Sequence, residues 1–179
     1  MSKQQTNNSY LDVKIFLREK YLNDKKNVLD CFSGESLIWN SIKKKYPDLN
    51  IVSVDKVGYK SNLRGDNRKY LLSLNLNRFD VIDLDAYGSP FPQLEIIFQK
   101  KWHGIIFCTF IQSFQGRLNN SLLLALGFTK AMIDKCPTLF SRFGFCKFKD
   151  YLSIRGIESV NYINKQNKYY IMFEIGGNE

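Results

Sequence analysis

The chain has 179 residues, of which 44% are hydrophobic and 15% aromatic, so it can build one domain with a core and is not intrinsically disordered. Its net charge of +9 favours a polyanionic partner. We predict a single domain over 1–179, with a polar tail at 1–9, an N-terminal helix at 10–26 and a core at 27–179.

Several classes of protein are disfavoured by simple sequence features. The longest apolar run, near 104–111, is too short to span a bilayer, and 1–9 lacks the apolar segment of a signal peptide, so we expect a cytoplasmic protein without a membrane partner. The single histidine, His103, has no histidine or cysteine at metal-ligand spacing, so no metal is expected. No CxxC pair occurs among the four cysteines, which are predicted to be reduced, packed thiols: Cys31, Cys108, Cys136 and Cys146.

The first half of the chain alternates between helical and strand patterns. Apolar residues at helical spacing predict helices at 11–22 and at 37–46, the latter ending before Pro47. Apolar β-prone runs predict strands at 28–32, 51–55 and 79–84. Between them we expect a loop over 56–66 with at most a little helix or strand, and a helix from Asp66 or Asn67 to about Leu74. Strand–helix–strand units of this length favour parallel, right-handed crossovers.

The second half predicts more helices and a terminal hairpin. A helix at 91–101 precedes a continuous apolar strand at 104–110, and two helices follow at 121–135 and 138–153, separated at Pro137. Alternating strands at 159–163 and 169–175 predict a β-hairpin with its turn at 164–168. We therefore expect an α/β fold: an open, mostly parallel sheet with helices on both faces and a C-terminal antiparallel hairpin.

Acidic residues stand at the predicted strand ends, where open α/β sheets bind ligands. Ser33 and Gly34 let the first loop approach a ligand, and Asp30 can accept from an ammonium group. Asp55, about 20 residues further on, has the position of a ribose-binding acid, and Asp66 can accept from an adenine amino group. Taken singly, each of these Asp residues fits a strand-end turn or a helix cap better than a ligand contact.

The sequence of the first loop distinguishes between two candidate cofactors that contain adenosine. It lacks G-x-G-x-x-G, and Glu35 would repel a diphosphate. An adenosyl ligand that carries a sulfonium and an amino acid, without phosphates, tolerates acidic neighbours. The loop therefore favours S-adenosylmethionine over NAD and disfavours an oxidoreductase.

The stretch F-D-V-I-D-L-D-A-Y-G-S-P at 79–90 ends a strand abruptly at Gly88 and Pro90. Asp85 can accept hydrogen bonds from an amine, and Tyr87 can stack on a flat heterocycle. Asp83 and Asp85 share a face if the strand stays regular. The pair suits chemistry on the exocyclic amine of a base, although a solvated Asp beside a core Tyr is an equally simple interpretation.

Four stretches in succession resemble the motifs of a class I S-adenosylmethionine-dependent methyltransferase: D-C-F-S-G (30–34), V-S-V-D-K (52–56), R-G-D-N-R-K-Y-L (64–71) and the stretch at 79–90. The last is similar to the D-L-D-P-Y-G-S-P signature of the tRNA guanine-N2 dimethyltransferase family, and the resemblance covers roughly 28–110. It implies a Rossmann-like, seven-stranded sheet and S-adenosylmethionine as cofactor.

The resemblance also implies roles for individual residues. Asp85 would hold the target amine, the Ala86 carbonyl would accept its second hydrogen, and Tyr87 would stack on the base. Eight residues would bind the cofactor: Asp30, Phe32, Ser33, Gly34, Asp55, Lys56, Asp66 and Asn67.

The resemblance makes an N-methyltransferase acting on guanine N2 of tRNA or other RNA the leading hypothesis. A DNA amino-methyltransferase, or a non-catalytic methyltransferase-fold module that binds RNA or protein, remains an alternative; Glu35, Ser36 and Ala86 favour the module. The similarity does not extend to the family's C-terminal substrate-binding domain, so a homo-oligomer or a separate substrate-binding subunit is expected. Candidate phosphate contacts are Lys43–Lys45, Lys56, Lys60, Arg64, Arg68, Arg117 and Lys130.

Overall fold

A computed structural model describes residues 10–58, 60–87, 89–112, 118–136 and 138–176. Its strands are β1 (Asn27–Asp30), β2 (Asn50–Asp55), β3 (Leu63–Arg64), β4 (Val81–Leu84), β5 (Gly104–Ile111), β6 (Asn161–Lys165) and β7 (Lys168–Ile175). They form one sheet in the order β3-β2-β1-β4-β5-β7-β6. The first five strands are parallel, and β7 runs antiparallel to both β5 and β6.

Helices cover both faces of this sheet. They are α1 (Leu11–Leu22), α2 (Leu37–Lys45), α3 (Asn67–Ser73), α4 (Phe91–Gln99), α5 (Asn120–Ala125), α6 (Lys130–Lys135) and α7 (Gly144–Ile154), with single 3-10 turns at Leu76–Arg78 and Ser141–Phe143. Residues of α1 and α2 share one core layer, and residues of α3 to α7 share the other.

Successive residues of the central strands alternate between these two core layers. Val28 and Val81 pack in the layer of α1 and α2, whereas Leu29 and Ile82 pack in the other. Both faces of the sheet are therefore buried, which explains why the strands are nearly continuous apolar runs in the sequence. The predicted Rossmann-like α/β fold, with seven strands and a C-terminal antiparallel hairpin, is confirmed.

The predicted helices after β5 are wrong in detail. The helix expected at 121–135 is two short helices, because the chain turns at Gly127, whose φ is +88°. Thr129 then starts α6 as an N-cap, its hydroxyl accepting from the Met132 amide at 3.3 Å. The helix expected at 138–153 begins only at Gly144.

The cysteine prediction is half correct. All four cysteines are free, and Cys31 and Cys108 are buried, but Cys136 and Cys146 are exposed rather than packed. Within the described residues no helix is long and apolar enough to cross a membrane. The predictions for the tail at 1–9 and for Gly88, Arg117 and Pro137 fall outside the described residues.

Candidate active site

The carboxyl ends of β1, β2 and β4 are neighbours at one edge of the sheet. Parallel pairing places Asp30, the last residue of β1, beside Ser53 on one side and Asp83 on the other. Asp55 is the last residue of β2, and Asp85 follows β4 directly. The fold therefore gathers the acidic strand ends at the edge where ligands bind in open α/β sheets.

The loop between β1 and α2 is tightly wound and polar. The Ser33 amide donates to the Val54 carbonyl at 3.2 Å, and both Gly34 and Ser36 have left-handed backbones, with φ of +50° and +57°. The hydroxyls of Ser33 and Ser36 are buried and have no hydrogen-bond partner among the described residues. Buried hydroxyls without partners are uncommon, so this loop has unused polar groups for a ligand.

Asp55 ties this loop to the segment after β2. Its Oδ2 accepts from the Gly34 amide at 2.9 Å, and its Oδ1 accepts from Val57 at 2.8 Å and from Gly58 at 2.6 Å. A Cβ on Gly58 would lie 2.8 Å from the Asp55 Cβ, so glycine is needed there. Lys56 between them is exposed. Asp55 thus orders both loops, which agrees with the strand-end turn given as the structural alternative for this residue.

Asp66 and Asn67 begin α3. Asp66 caps the helix by accepting from the Arg68 amide at 3.0 Å and also pairs with its guanidinium at 2.7 Å; these bonds lower the pKa of Asp66 to about 2. Asn67 donates to the Cys31 carbonyl at 2.8 Å and accepts from Gln93 at 3.0 Å. These contacts hold the start of α3 against the end of β1.

Asp85 is half-buried, and its carboxylate is paired. Its Oδ2 lies 2.6 Å from Lys14 Nζ, and its Oδ1 accepts from the Thr109 hydroxyl at 2.5 Å, with the Asp85 side chain 10% exposed. Burial alone would raise the pKa of Asp85, but the charges of Arg18 and Lys14 and these hydrogen bonds outweigh it and hold the pKa below its usual value. The carboxylate is therefore ionised at neutral pH.

The two residues after Asp85 differ sharply in exposure. Ala86 is buried, and its amide donates to the Leu84 carbonyl at 2.6 Å. Tyr87 is 87% exposed, so its ring is available to stack on a ligand and does not belong to the core. The alternative of a solvated Asp beside a core Tyr is wrong on both counts.

Both carboxylate oxygens of Asp83 bind side chains that hold α1 and α2 on the sheet. Its oxygens lie 2.6 and 2.7 Å from the Arg18 guanidinium and accept the Trp39 indole N–H at 2.7 Å. Asp83 and Asp85 do share a face, as predicted: they meet Arg18 and Lys14, which are one turn apart on α1.

Asp30 lies beside this ion pair. Its side chain is buried and accepts from the Phe32 amide at 3.3 Å, while the Phe32 ring is half-buried against the core. Burial, and then the negative charge of Asp83, raise the pKa of Asp30 well above its usual value. A cationic group of a ligand at this position would stabilise its ionised form.

Four residues at this edge were not predicted from the sequence: Lys14, Arg18, Trp39 and Thr109. The one local signal is a pair of cations four residues apart on an otherwise half-apolar helix, Lys14 and Arg18. That spacing is equally common on solvated helices, so it did not distinguish them.

The run Lys43–Lys45 lies away from this edge. It ends α2, and Lys45 lines a cavity of about 290 Å³ between residues 22–26 and 45–49, at the amino ends of the strands. Lys45 also pairs with Glu19 at 2.8 Å, and Arg68 pairs with Asp66. Lys43–Lys45 are therefore not gathered around the acidic strand ends, whereas Arg68 lies beside Asp66 at the start of α3.

No protein-family model and no curated protein matches the sequence, but solved structures share its fold. A S-adenosylmethionine-dependent methyltransferase of Archaeoglobus fulgidus is 16% identical, with a TM-score of 0.54, over 90% of this chain and 92% of that one. The chain has the class I methyltransferase fold.

Two further structures carry the same methyltransferase fold. A protein of Nostoc punctiforme named as an O-methyltransferase is 12% identical with a TM-score of 0.56; the match covers 92% of this chain but only 55%, about half, of that one. The plantazolicin methyltransferase BamL, solved with a triazolic desmethylPZN analog and SAH, is 10% identical with a TM-score of 0.55, over 92% of this chain and 84% of that one. None of the three is named as a tRNA guanine-N2 methyltransferase, so that narrower resemblance stays a prediction.

Proposed function

We propose that this protein is a S-adenosylmethionine-dependent methyltransferase that acts on an amine held at Asp85–Tyr87. The observation that carries the proposal is the sheet order, which brings the ends of β1, β2 and β4 together with their acidic residues. The shared fold with proteins named as methyltransferases supports it.

The residues at this edge suit that cofactor. S-adenosylmethionine supplies an electrophilic methyl group on a cationic sulfur. Asp30, buried and poorly compensated, would accept from the cofactor's ammonium group, and the hydroxyls of Ser33 and Ser36 are unused hydrogen-bonding groups beside it. Asp55 Oδ2 accepts one amide and keeps one lone-pair site for a ribose hydroxyl.

The remaining cofactor contacts come from neighbouring elements. Phe32, Gly34 and Lys56 flank the same edge, and Asp66 with Asn67 would border the adenine. The side chain of Asp66 pairs with Arg68, and that of Asn67 forms hydrogen bonds with Cys31 and Gln93. We therefore expect Asp66 and Asn67 to contact the adenine mainly through their backbone and by shaping the pocket.

For the acceptor we propose an exocyclic amine of a nucleic-acid base, with guanine N2 in RNA as the first candidate and a DNA amine as the second. Asp85 would accept an N–H of the amine and stabilise positive charge on its nitrogen, the Ala86 carbonyl would accept the other hydrogen, and the exposed Tyr87 would stack on the ring. The net charge of +9 also favours such an acceptor.

The test is transfer of a tritiated methyl group to tRNA, bulk RNA, double-stranded DNA and protein, followed by identification of the labelled product. We expect label in N2-methylguanosine. Asp85→Ala is expected to abolish transfer while S-adenosylmethionine still binds in calorimetry, and Asp134→Ala, at an exposed acid on α6, is the matched control. Full transfer by a folded Asp85→Ala variant would contradict the proposed role.

One observation favours a second candidate, a non-catalytic module of the same fold. Both oxygens of Asp55 and of Asp85 already accept hydrogen bonds within the protein. A module of this kind would bind RNA or a protein without binding the cofactor. Absence of S-adenosylmethionine binding in the same calorimetry would select it.

A further inference from the structure

Lys14 of α1 contacts Asp85, the residue proposed to hold the target amine. Its Nζ lies 2.6 Å from Asp85 Oδ2, and the two side chains are only 12% and 10% exposed. The ammonium also lies 5.6 Å from the centre of the Tyr170 ring, within cation–π range. A solvent-exposed ion pair restricts its two side chains little, whereas a pair with this little exposure holds both side chains in one orientation.

Two contacts orient the Asp85 carboxylate. Lys14 donates to Oδ2, and Thr109 on β5 donates to Oδ1. Each carboxylate oxygen has two lone-pair sites and accepts one hydrogen bond from the described residues, so within that part of the chain one site on each oxygen is left for an incoming N–H. Lys14 and Thr109 together therefore fix the orientation of the carboxylate plane, and with it the direction from which a target amine would donate its hydrogen bond.

Among the residues that the structure describes, Lys14 is also the cation in direct contact with Asp85. Arg18 is nearby but donates twice to Asp83, which leaves it engaged elsewhere. The burial of Asp85 opposes its charge; the charge of Arg18, and then the charge and hydrogen bond of Lys14, outweigh that effect and lower its pKa. The other titratable groups around it are Asp30 on β1, Asp83 on β4, Cys108 on β5 and Tyr170 on β7, of which Tyr170 has its pKa raised to about 12 by burial and by Asp85.

We propose that Lys14 is a positioning residue of the transfer site, which orients the Asp85 carboxylate and keeps it negatively charged for the incoming amine. This inference rests on the proposed methyl transfer. Lys14 takes no covalent part: Asp85 contacts the amine, and Lys14 acts through Asp85. Arginine, which preserves the charge, should replace Lys14 better than methionine, which preserves only the apolar stem.

Activity as a function of pH tests this role. Lys14→Met is expected to lower the transfer rate, and the loss should grow toward acidic pH. At a pH below the Asp85 pKa, each unit by which that pKa rises reduces the ionised fraction of Asp85, and with it the rate, by about tenfold. Lys14→Arg should recover most of the activity. Lys20→Met, at an exposed lysine on the same helix, is the control. A loss of activity that is the same at every pH overturns the proposal. A gain in activity also overturns it, because it would show that Lys14 competes with the target amine for Asp85.

A second measurement needs no substrate. The Asp85 carboxyl is titrated by carbon NMR in the full chain and in Lys14→Met. An upward shift of its pKa in the variant supports the proposal, and an unchanged pKa overturns it. If the wild-type protein neither binds S-adenosylmethionine nor transfers methyl groups, the proposed function fails, while the titration still decides whether Lys14 controls Asp85.

Discussion

Replacing Arg18 by methionine should show how strongly the buried ion pair holds α1 on the sheet. The Arg18 and Asp83 side chains are 2% and 1% exposed and are joined by two hydrogen bonds of 2.6 and 2.7 Å. The guanidinium also lies 5.4 Å from the centre of the Phe107 ring. Methionine keeps an apolar stem of similar length but leaves Asp83 without a cation beside Asp30.

The expected loss follows from leaving one buried charge uncompensated. Removing one partner of a buried ion pair costs about 3–5 kcal/mol of unfolding free energy. The Trp39 N–H remains on Asp83 at 2.7 Å, and the methionine side chain fills part of the space, so we expect a loss of about 3 kcal/mol in unfolding free energy. The unfolding free energy of a typical domain is about 5–15 kcal/mol, so the variant should still fold.

Urea unfolding followed by circular dichroism measures this loss. Lys45→Met removes an exposed pair with Glu19, in which the lysine is 65% exposed, and is expected to have a much smaller effect because water screens it. Arg18→Met combined with Asp83→Asn should recover much of the stability, because the uncompensated charge is gone while Trp39 keeps an acceptor. A loss below about 1 kcal/mol for Arg18→Met, or no recovery in the double variant, would refute the reasoning.

Two further predictions concern Asp30 at the end of β1 and Ser36 in the loop that follows it. Because the pKa of Asp30 is raised in the folded protein, its contribution to stability is present below its unfolded pKa and is lost as pH rises through the folded one. Asp30→Asn should therefore raise the urea midpoint at about pH 8 and change it little near about pH 4; a lower midpoint at the higher pH would contradict this. Ser36→Gly should stabilise by about 0.5 kcal/mol, because glycine tolerates the φ of +57° better than serine does. Ser41→Gly, inside α2, should instead destabilise by about 0.5 kcal/mol in the same urea unfolding experiment, and equal effects at both positions would rule out backbone strain as the cause.

Much of the fold was predictable because its signals are local. The N-cap at Asp66, the helix at 11–22 and the buried strand at 104–110 depend on residues a few positions apart, and the structure confirms all three. The helix expected at 121–135 was wrong because its apolar spacing continues through Gly127, where the backbone turns. The order of acidic strand ends was visible for the same local reason, since each one follows an apolar run.

The sequence by itself determined the α/β class and which acidic residues would stand at the strand ends. Tertiary structure decided the state of those acids. Asp83 meets Arg18 across 65 positions and Asp85 meets Lys14 across 71, so no local pattern could show that one is committed to the fold and the other is oriented by a lysine. The physical reason is that desolvation and ion pairing depend on which helix covers the strand end, and only packing brings α1 there.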